Sequence, residues 1–233
     1  VMLLLLTLFA LLILPVTAEA AQQTAFVGSF SRVRVQGPYE VTIVTGRSPS
    51  ALLSGDRAAI DAIDVRADGN TLTVRPVATT LEKHAGTQPA QLLLGTPALA
   101  VIAVIGAARV HVTRMKADRV DLSVSGTGSV AVDAVEADQA SALLVGAGTV
   151  ALAGKVQRAR LTTSGAGTID AVGLDAGELY VHLDGTGETR ARARYTAEVN
   201  NRGLGRVSVA GAAKCRVHAA AGGPVECGRG ATR

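Results

Sequence analysis

From Ala100 to Ala221 apolar and polar residues alternate, and a Gly-x-Gly or near-Gly-x-Gly turn interrupts the alternation about every 20 residues, the mark of a repeat architecture. The turns fall at Gly106, at Gly126 and Gly128, at Gly146 and Gly148, at Gly165 and Gly167, at Gly185 and Gly187, at Gly203 and Gly205 and, more loosely, at Gly222 and Gly223. In a strand, alternate side chains share a face, so fixed offsets from each turn define columns. Four and two residues before the first glycine stand Ile102/Val104, Leu122/Val124, Ala142/Leu144, Leu161/Thr163 and Val181/Leu183, with Val199/Asn201 as the first weakening. Four and six after it stand Val110/Val112, Val130/Val132, Val150/Leu152, Ile169/Ala171, Thr189/Ala191 and Val207/Val209. Six before it stand Ala100, Val120, Ala140, Ala159, Leu179 and Ala197. Three short strands per coil, each adding to a stacked apolar column, predict an all-β, single-stranded parallel β-helix, a solenoid with rungs of about 20 residues and strands about 4.8 Å apart. Its last regular rung is the one at Gly203, because Asn201 and the Pro224 region break the columns.

The preceding segment alternates less regularly. Val33 and Val35, then Gly37-Pro38, then Val41 and Ile43 predict two strands around a turn. A third short strand is expected at Ala51–Leu53, and Asp68-Gly69-Asn70 is a turn signal between Ile63–Val65 and Thr71–Val74. Ala58–Ile63 also reads as a helical turn, and Pro76–Pro97, with His84, Gly86 and Pro89, as a long loop or irregular rung.

The run Phe30-Ser-Arg-Val33-Arg-Val35-Gln-Gly37-Pro-Tyr39-Glu-Val41-Thr-Ile43, with Ile63-Asp-Val65, Gly69, Leu72-Thr-Val74 and the Gly-x-Gly rungs behind it, resembles the putative auto-transporter adhesin head GIN domain family. That resemblance implies an exported, right-handed β-helical domain with an adhesin-like role. The expected layout is a signal peptide at 1–20, a short linker at 21–29, a β-helix at 30–227 (less regular over 30–98, regular over 99–221) and a tail at 228–233.

The address comes from the first residues. Val1–Val16 is uncharged and leucine-rich, Pro15 ends it abruptly, and it is near the lower length limit for a membrane span. With Ala18-Glu19-Ala20 behind it, it reads as a signal h-region and cleavage site, although no Lys or Arg precedes it, and an uncleaved anchor is the alternative. The mature chain, from near Ala21, is then exported to the periplasm or cell surface without a membrane span.

Composition agrees with thin pleated layers: aromatics are 3%, Trp is absent and glycines number 26. The net charge of +4 comes with no long basic run and few aromatics to stack on bases, so a nucleic-acid footprint is missing. Cys215 and Cys227 are the two cysteines, and in an exported chain a disulfide closing a short loop is one reading; their unequal offsets from the turns argue against a shared column.

The glycines themselves read as corners, where the chain bends between strands and needs positive φ or a missing Cβ. No turn is followed by the Lys-Ser/Thr of a phosphate loop, and glycine pairs every nine residues, as in calcium repeats, do not occur. Binding chemistry is therefore sought on outward columns. Ser123, Thr162, His182 and Asn200 lie three before the glycine, and Ser125, Ser164, Asp184 and Arg202 one before it. Together they form a polar face able to hydrogen-bond a sugar chain, or simply a solvated one. Arg190, Arg192 and Arg194 alternate with alanines and are expected on one face of one rung, where their guanidinium forks suit carboxylated or phosphorylated glycans or keep the surface soluble.

Catalysis finds less support. Asp121, Asp133, Asp138, Asp170, Asp175, Asp184 and Glu188 share no column; the best local cluster is Asp184, Glu188 and Arg190 beside His182. His84, His111, His182 and His218 show no zinc spacing, and no metal or cofactor is expected. The expected function is an envelope binding module without catalysis, holding acidic polysaccharide or a protein partner on its strand faces. A polysaccharide lyase or hydrolase, and a self-associating structural protein, are the alternatives.

Overall fold

Every inward offset named above except the partly buried Ala100 is buried because the chain winds into a coil whose alternate side chains meet in the middle, while successive coils hydrogen-bond through their backbones. The computed structural model describes residues 21–77 and 90–228. It is a β-solenoid of about 6 turns with about 20 residues per turn, 72% strand and 3% helix.

The elements in order are β1 (Ala21–Ala25), β2 (Arg32–Gln36), β3 (Glu40–Thr45), β4 (Ser50–Gly55), α1 (Arg57–Asp61), β5 (Ile63–Asp68), β6 (Thr71–Pro76), β7 (Gln91–Thr96), β8 (Val101–Gly106), β9 (Arg109–Val112), β10 (Met115–Lys116) and β11 (Arg119–Gly126). Four long strands that bend through corners follow: β12 (Ser129–Gly146), β13 (Thr149–Gly165), β14 (Thr168–Gly185) and β15 (Glu188–Asn201). β16 (Arg206–Ala210), β17 (Lys214–Ala219) and β18 (Val225–Cys227) complete the chain.

The coil has three sides. On the first, the parallel register runs Leu72, Val33, Ile102, Leu122, Ala142, Leu161, Val181, Val199, Val217. On the second it runs Leu92, Val41, Val110, Val130, Val150, Ile169, Thr189, Val207, Val225. The third side differs from the sequence expectation. The column six before the glycine belongs to the first side, and the third is built from Met115, Val135 and Leu174, with Val156, Ala176 and Ala193 beside them, all buried. A fixed offset misses them because the register shifts at the corners Val132/Val135, Ala151/Ala153 and Ala171/Asp175.

The two glycines of one turn are required for separate reasons. Gly185 has φ +128°, a region L side chains rarely adopt, and a Cβ there would stand 2.3 Å from the Gly165 carbonyl oxygen. Gly187 has no such φ, yet its Cβ would stand 2.2 Å from the Gly167 oxygen. The second glycines of the earlier turns repeat this. Gly128 and Gly148 also lack a positive φ; a Cβ would stand 2.7 Å from the Ala108 oxygen at Gly128 and 2.4 Å from the Gly128 oxygen at Gly148. Their missing side chains let one coil lie on the next. The turns stack this closely because their own amides bond the coil before: Thr186 and Gly187 both donate to Gly165 O, at 3.0 and 2.9 Å. Those donors are occupied and cradle no anion.

Polar groups inside the stack are paired. The Thr163 and Thr189 hydroxyls lie 2.9 Å apart across the core. Asn201, the expected weak point, is fully buried: its Nδ2 donates to Gly205 O at 2.8 Å and its Oδ1 accepts from Gly203 N at 3.1 Å. The coil therefore continues past Gly203, with β17 in register on β15 and β18 on β16. Cys215 and Cys227 are disulfide-bonded with Cα atoms 6.2 Å apart. They sit in two inward columns, behind Ala197 and Val209, so the bond braces the last coil across its interior.

The opposite end is antiparallel: β4 lies between β7 and β1, and β5–β6 form a hairpin around Gly69. Residues 21–29 thus hold an edge strand instead of a plain linker. Gln91–Thr96, expected within an irregular stretch, is a strand paired in parallel with β3, with Leu92 and Leu94 turned into the core. The remainder of that stretch, His84 with it, lies outside the described residues, as do the apolar segment 1–20 and tail residues 229–233.

Candidate binding surface

The first side carries the polar columns read from the sequence. Ser123, Thr162, His182 and Asn200 lie on one outward ladder, in register through Leu143. Ser125, Ser164 and Asp184 form the next, through Val145. Leu143 and Val145 are more than 40% exposed, so this part of the face is mixed rather than polar. Arg202 is exposed beyond its end. Asp184 and His182 make no side-chain hydrogen bond among the described residues, and Glu188 pairs with Arg190 at 4.0 Å, so the local acid–base cluster is not assembled.

The arginine stripe is divided. Arg190 aligns with Asp170 on the second side and Arg192 with Asp175 on the third, because the register shift between Ala171 and Asp175 puts the corner between them. Arg190 pairs with Asp170 at 2.8 Å, Arg194 with Asp175 at 3.4 Å, and Arg192 is exposed. The three do not share a face; two of them neutralise carboxylates of the preceding coil.

A stronger feature lies elsewhere on the first side, five and seven residues before the turns from Gly126 to Gly203 and in register with those positions on the last coil. There Arg119, Arg158, Arg160, Lys214 and Arg216 line a shallow groove of about 790 Å³ together with Glu178, Glu198 and Tyr180. Ala140, Ala159, Leu179 and Ala197, whose side chains face the core, form part of its floor. The register stacks Arg119, Gln139, Arg158, Glu178, Thr196 and Lys214 in one outward column, and Asp121, Ser141, Arg160, Tyr180, Glu198 and Arg216 in its neighbour. The groove therefore runs along the solenoid axis, across the strands.

Its charges are unequally spent. Arg119 Nε donates to both carboxylate oxygens of Asp121, at 3.1 and 3.0 Å, and these bonds raise the guanidinium above its ordinary pKa. Arg216 reaches Glu198 at 4.0 Å. The guanidinium of Arg160 lies over the Tyr180 ring, 4.3 Å from its centroid. Arg158 and Lys214 have no partner among the described residues. The sequence does signal this groove, in the alternating pairs Arg158/Arg160 and Glu178/Tyr180 one coil apart and Lys214/Arg216 two coils further on, but at offsets further from the glycines than the polar columns.

No helix among the described residues is long and apolar enough to cross a membrane, and none of their His, Cys, Asp and Glu side chains gather in threes. The fold and surface define a parallel β-solenoid whose variable chemistry sits on its outward strand faces. Residues 29–213 match the family model for the putative auto-transporter adhesin, head GIN domain, and the chain belongs to that family. Among solved structures it is similar to a putative adhesin from Bacteroides fragilis, 20% identical with a TM-score of 0.79, covering 91% of this chain and 93% of that one. A putative lipid binding protein from Parabacteroides distasonis is 15% identical with a TM-score of 0.73, covering 91% and 97%. A putative adhesin from Parabacteroides merdae is 17% identical with a TM-score of 0.70, covering 91% and 97%. No curated protein matches the sequence.

Proposed function

We propose that this chain is an exported, adhesin-like binding module of the cell envelope that holds an acidic polysaccharide along the first side of its solenoid, without catalysing its cleavage. The observation that carries the reading is the axial groove, where five cationic side chains face two carboxylates and an aromatic ring. Guanidinium forks match carboxylate and sulfate groups bidentately, and a ring beside them offers a sugar an apolar face. Coils about 4.8 Å apart set these groups at regular intervals along the axis, which suits a linear polyanion better than a compact ligand. The export reading rests on the apolar Val1–Val16 segment with Ala18-Glu19-Ala20 behind it.

Calorimetric titration with polygalacturonate, heparin and neutral dextran tests the proposal. Salt-dependent binding of the two polyanions and none of dextran is the expected result. Binding of none of them, or shortening of any chain during incubation, overturns it, the latter in favour of a polysaccharide-cleaving enzyme.

A further inference from the structure

The two ends of the solenoid are finished differently. At the N-terminal end antiparallel β1, β4 and β5, with α1 beside them, lie against the coils. At the C-terminal end β17 pairs with β15 alone, and among the described residues no backbone group bonds its outer edge. All six residues of β17 are exposed. Cys215, Val217 and Ala219 continue the inward columns of Ala197, Val199 and Asn201, which are 2%, 0% and 0% exposed, while Val217 itself is 42% exposed. The last coil thus presents a strand edge and an apolar rim that every earlier coil covers with its successor. The Cys215–Cys227 bond holds this edge in place across the interior.

The outward residues of the same strand are Lys214, Arg216 and His218, and β17 itself carries no acid. Glu198, on the coil before, meets Arg216 at 4.0 Å. Alternate backbone groups of a parallel strand point away from its partner, so the edge offers donors and acceptors in register with alternating cationic and small apolar side chains. We propose that β17 is a docking edge for an extended segment of a partner protein, added as a further strand, with acidic residues opposite Lys214, Arg216 and His218 and small apolar residues between them. Main-chain bonds give such a strand its affinity and the alternation gives it selectivity. The preformed, covalently braced edge spares the host the cost of ordering.

Synthetic end-blocked octapeptides test this on the full chain, with hydrogen exchange followed by mass spectrometry: alternating Glu-Val, alternating Lys-Val, and a Glu-Val peptide with proline at every apolar position. The expected result is saturable slowing of exchange over residues 214–219 by the Glu-Val peptide alone. The double variant Lys214→Glu with Arg216→Glu should weaken its binding by about tenfold or more. Arg57→Glu, on α1 at the opposite end and outside the groove, should leave it unchanged. Equal protection by the Lys-Val or proline peptide, or no protection by any, overturns the proposal. So does protection of residues 214–219 without peptide that rises with protein concentration and doubles the mass, since a second copy would then fill the edge.

Discussion

Arg160 stacks over the ring of Tyr180, its register neighbour one coil further along, with the guanidinium carbon 4.3 Å from the ring centroid. The pair stands midway along the groove. A cation–π contact at an exposed site contributes roughly 0.5–1 kcal/mol, so its main effect is to hold a guanidinium fork over the floor. Arg160→Ala and Tyr180→Ala should each lower heparin affinity several-fold while leaving the melting temperature nearly unchanged. Arg158→Glu with Lys214→Glu should lower it more and flatten its salt dependence. Titrations at two ionic strengths, beside thermal melts, check both.

Turn glycines should differ sharply in tolerance. Gly187→Ala forces a Cβ to 2.2 Å from a backbone oxygen that stacking holds in place, whereas nothing lies within 4 Å of a Cβ at Gly28. Gly187→Ala is expected to cost several kcal/mol, on the scale of overpacked cores, and Gly28→Ala close to nothing. Denaturant titration of both variants tests the contrast.

Within the core, Thr163 and Thr189 share one hydroxyl–hydroxyl bond of 2.9 Å. Replacing one by Val leaves the other hydroxyl buried without a partner, costing roughly 1–3 kcal/mol, while replacing both should be nearly neutral. Asn201→Leu should be costlier than either single change, because it strips partners from both Gly203 N and Gly205 O. A double-mutant cycle in urea measures the coupling.

Much of this core was legible beforehand. Val130, Val150 and Ile169 could be placed by counting from a glycine, because strand alternation is strict while the chain runs straight. Met115, Val135, Leu174 and Ala193 could not, since corners absorb one residue more or fewer without disturbing the strands on either side. The same slippage moved Arg192 around a corner from Arg190. Asn201 looked like the end of the pattern because a polar residue in an apolar column reads as a break. Its side-chain bonds reach only two and four residues ahead, to Gly203 and Gly205, but a column of apolar offsets carries no hydrogen-bond information. Nor does spacing separate Gly126 from Gly128, since one is set by its own φ and the other by the coil beneath it. The candidate surface was legible only in part: the outward columns nearest the turns were identified, but the pair further back that lines the groove was not, since a depression arises from how coils stack and not from spacing along one coil.

Reducing the Cys215–Cys227 bond should loosen one coil only. Its residues are separated by 12 positions, and closing a loop of that size stabilises by about 3 kcal/mol on the chain-entropy model. Cys215→Ser with Cys227→Ser should accelerate hydrogen exchange in β17 and β18 while leaving β13 and β14 protected.

Near the N-terminal end, Asp64 accepts bonds from Arg66 Nε at 2.9 Å and Arg75 Nε at 3.1 Å. Partial burial pushes its carboxyl up, but the two guanidinium bonds outweigh this and leave its pKa below the ordinary value. A carboxyl with a lowered folded pKa stabilises fully above its unfolded pKa, and that contribution fades as pH falls through the folded one. Asp64→Asn should therefore lower stability at neutral pH and match the parent chain once the carboxyl is protonated in acid. Urea midpoints across the acidic range check the convergence.

The coil-to-coil register has a mechanical consequence. Backbone bonds between successive coils point along the solenoid axis, so tension applied to its two ends loads them in series. Such a stack opens like a zipper, one coil at a time and at low force, in contrast to strands sheared side by side. Each released coil lengthens the tether by about 20 residues of extended chain, roughly 65 Å. A domain built this way absorbs a sudden pull by paying out length, and the Cys215–Cys227 bond limits how much of the last coil can be paid out.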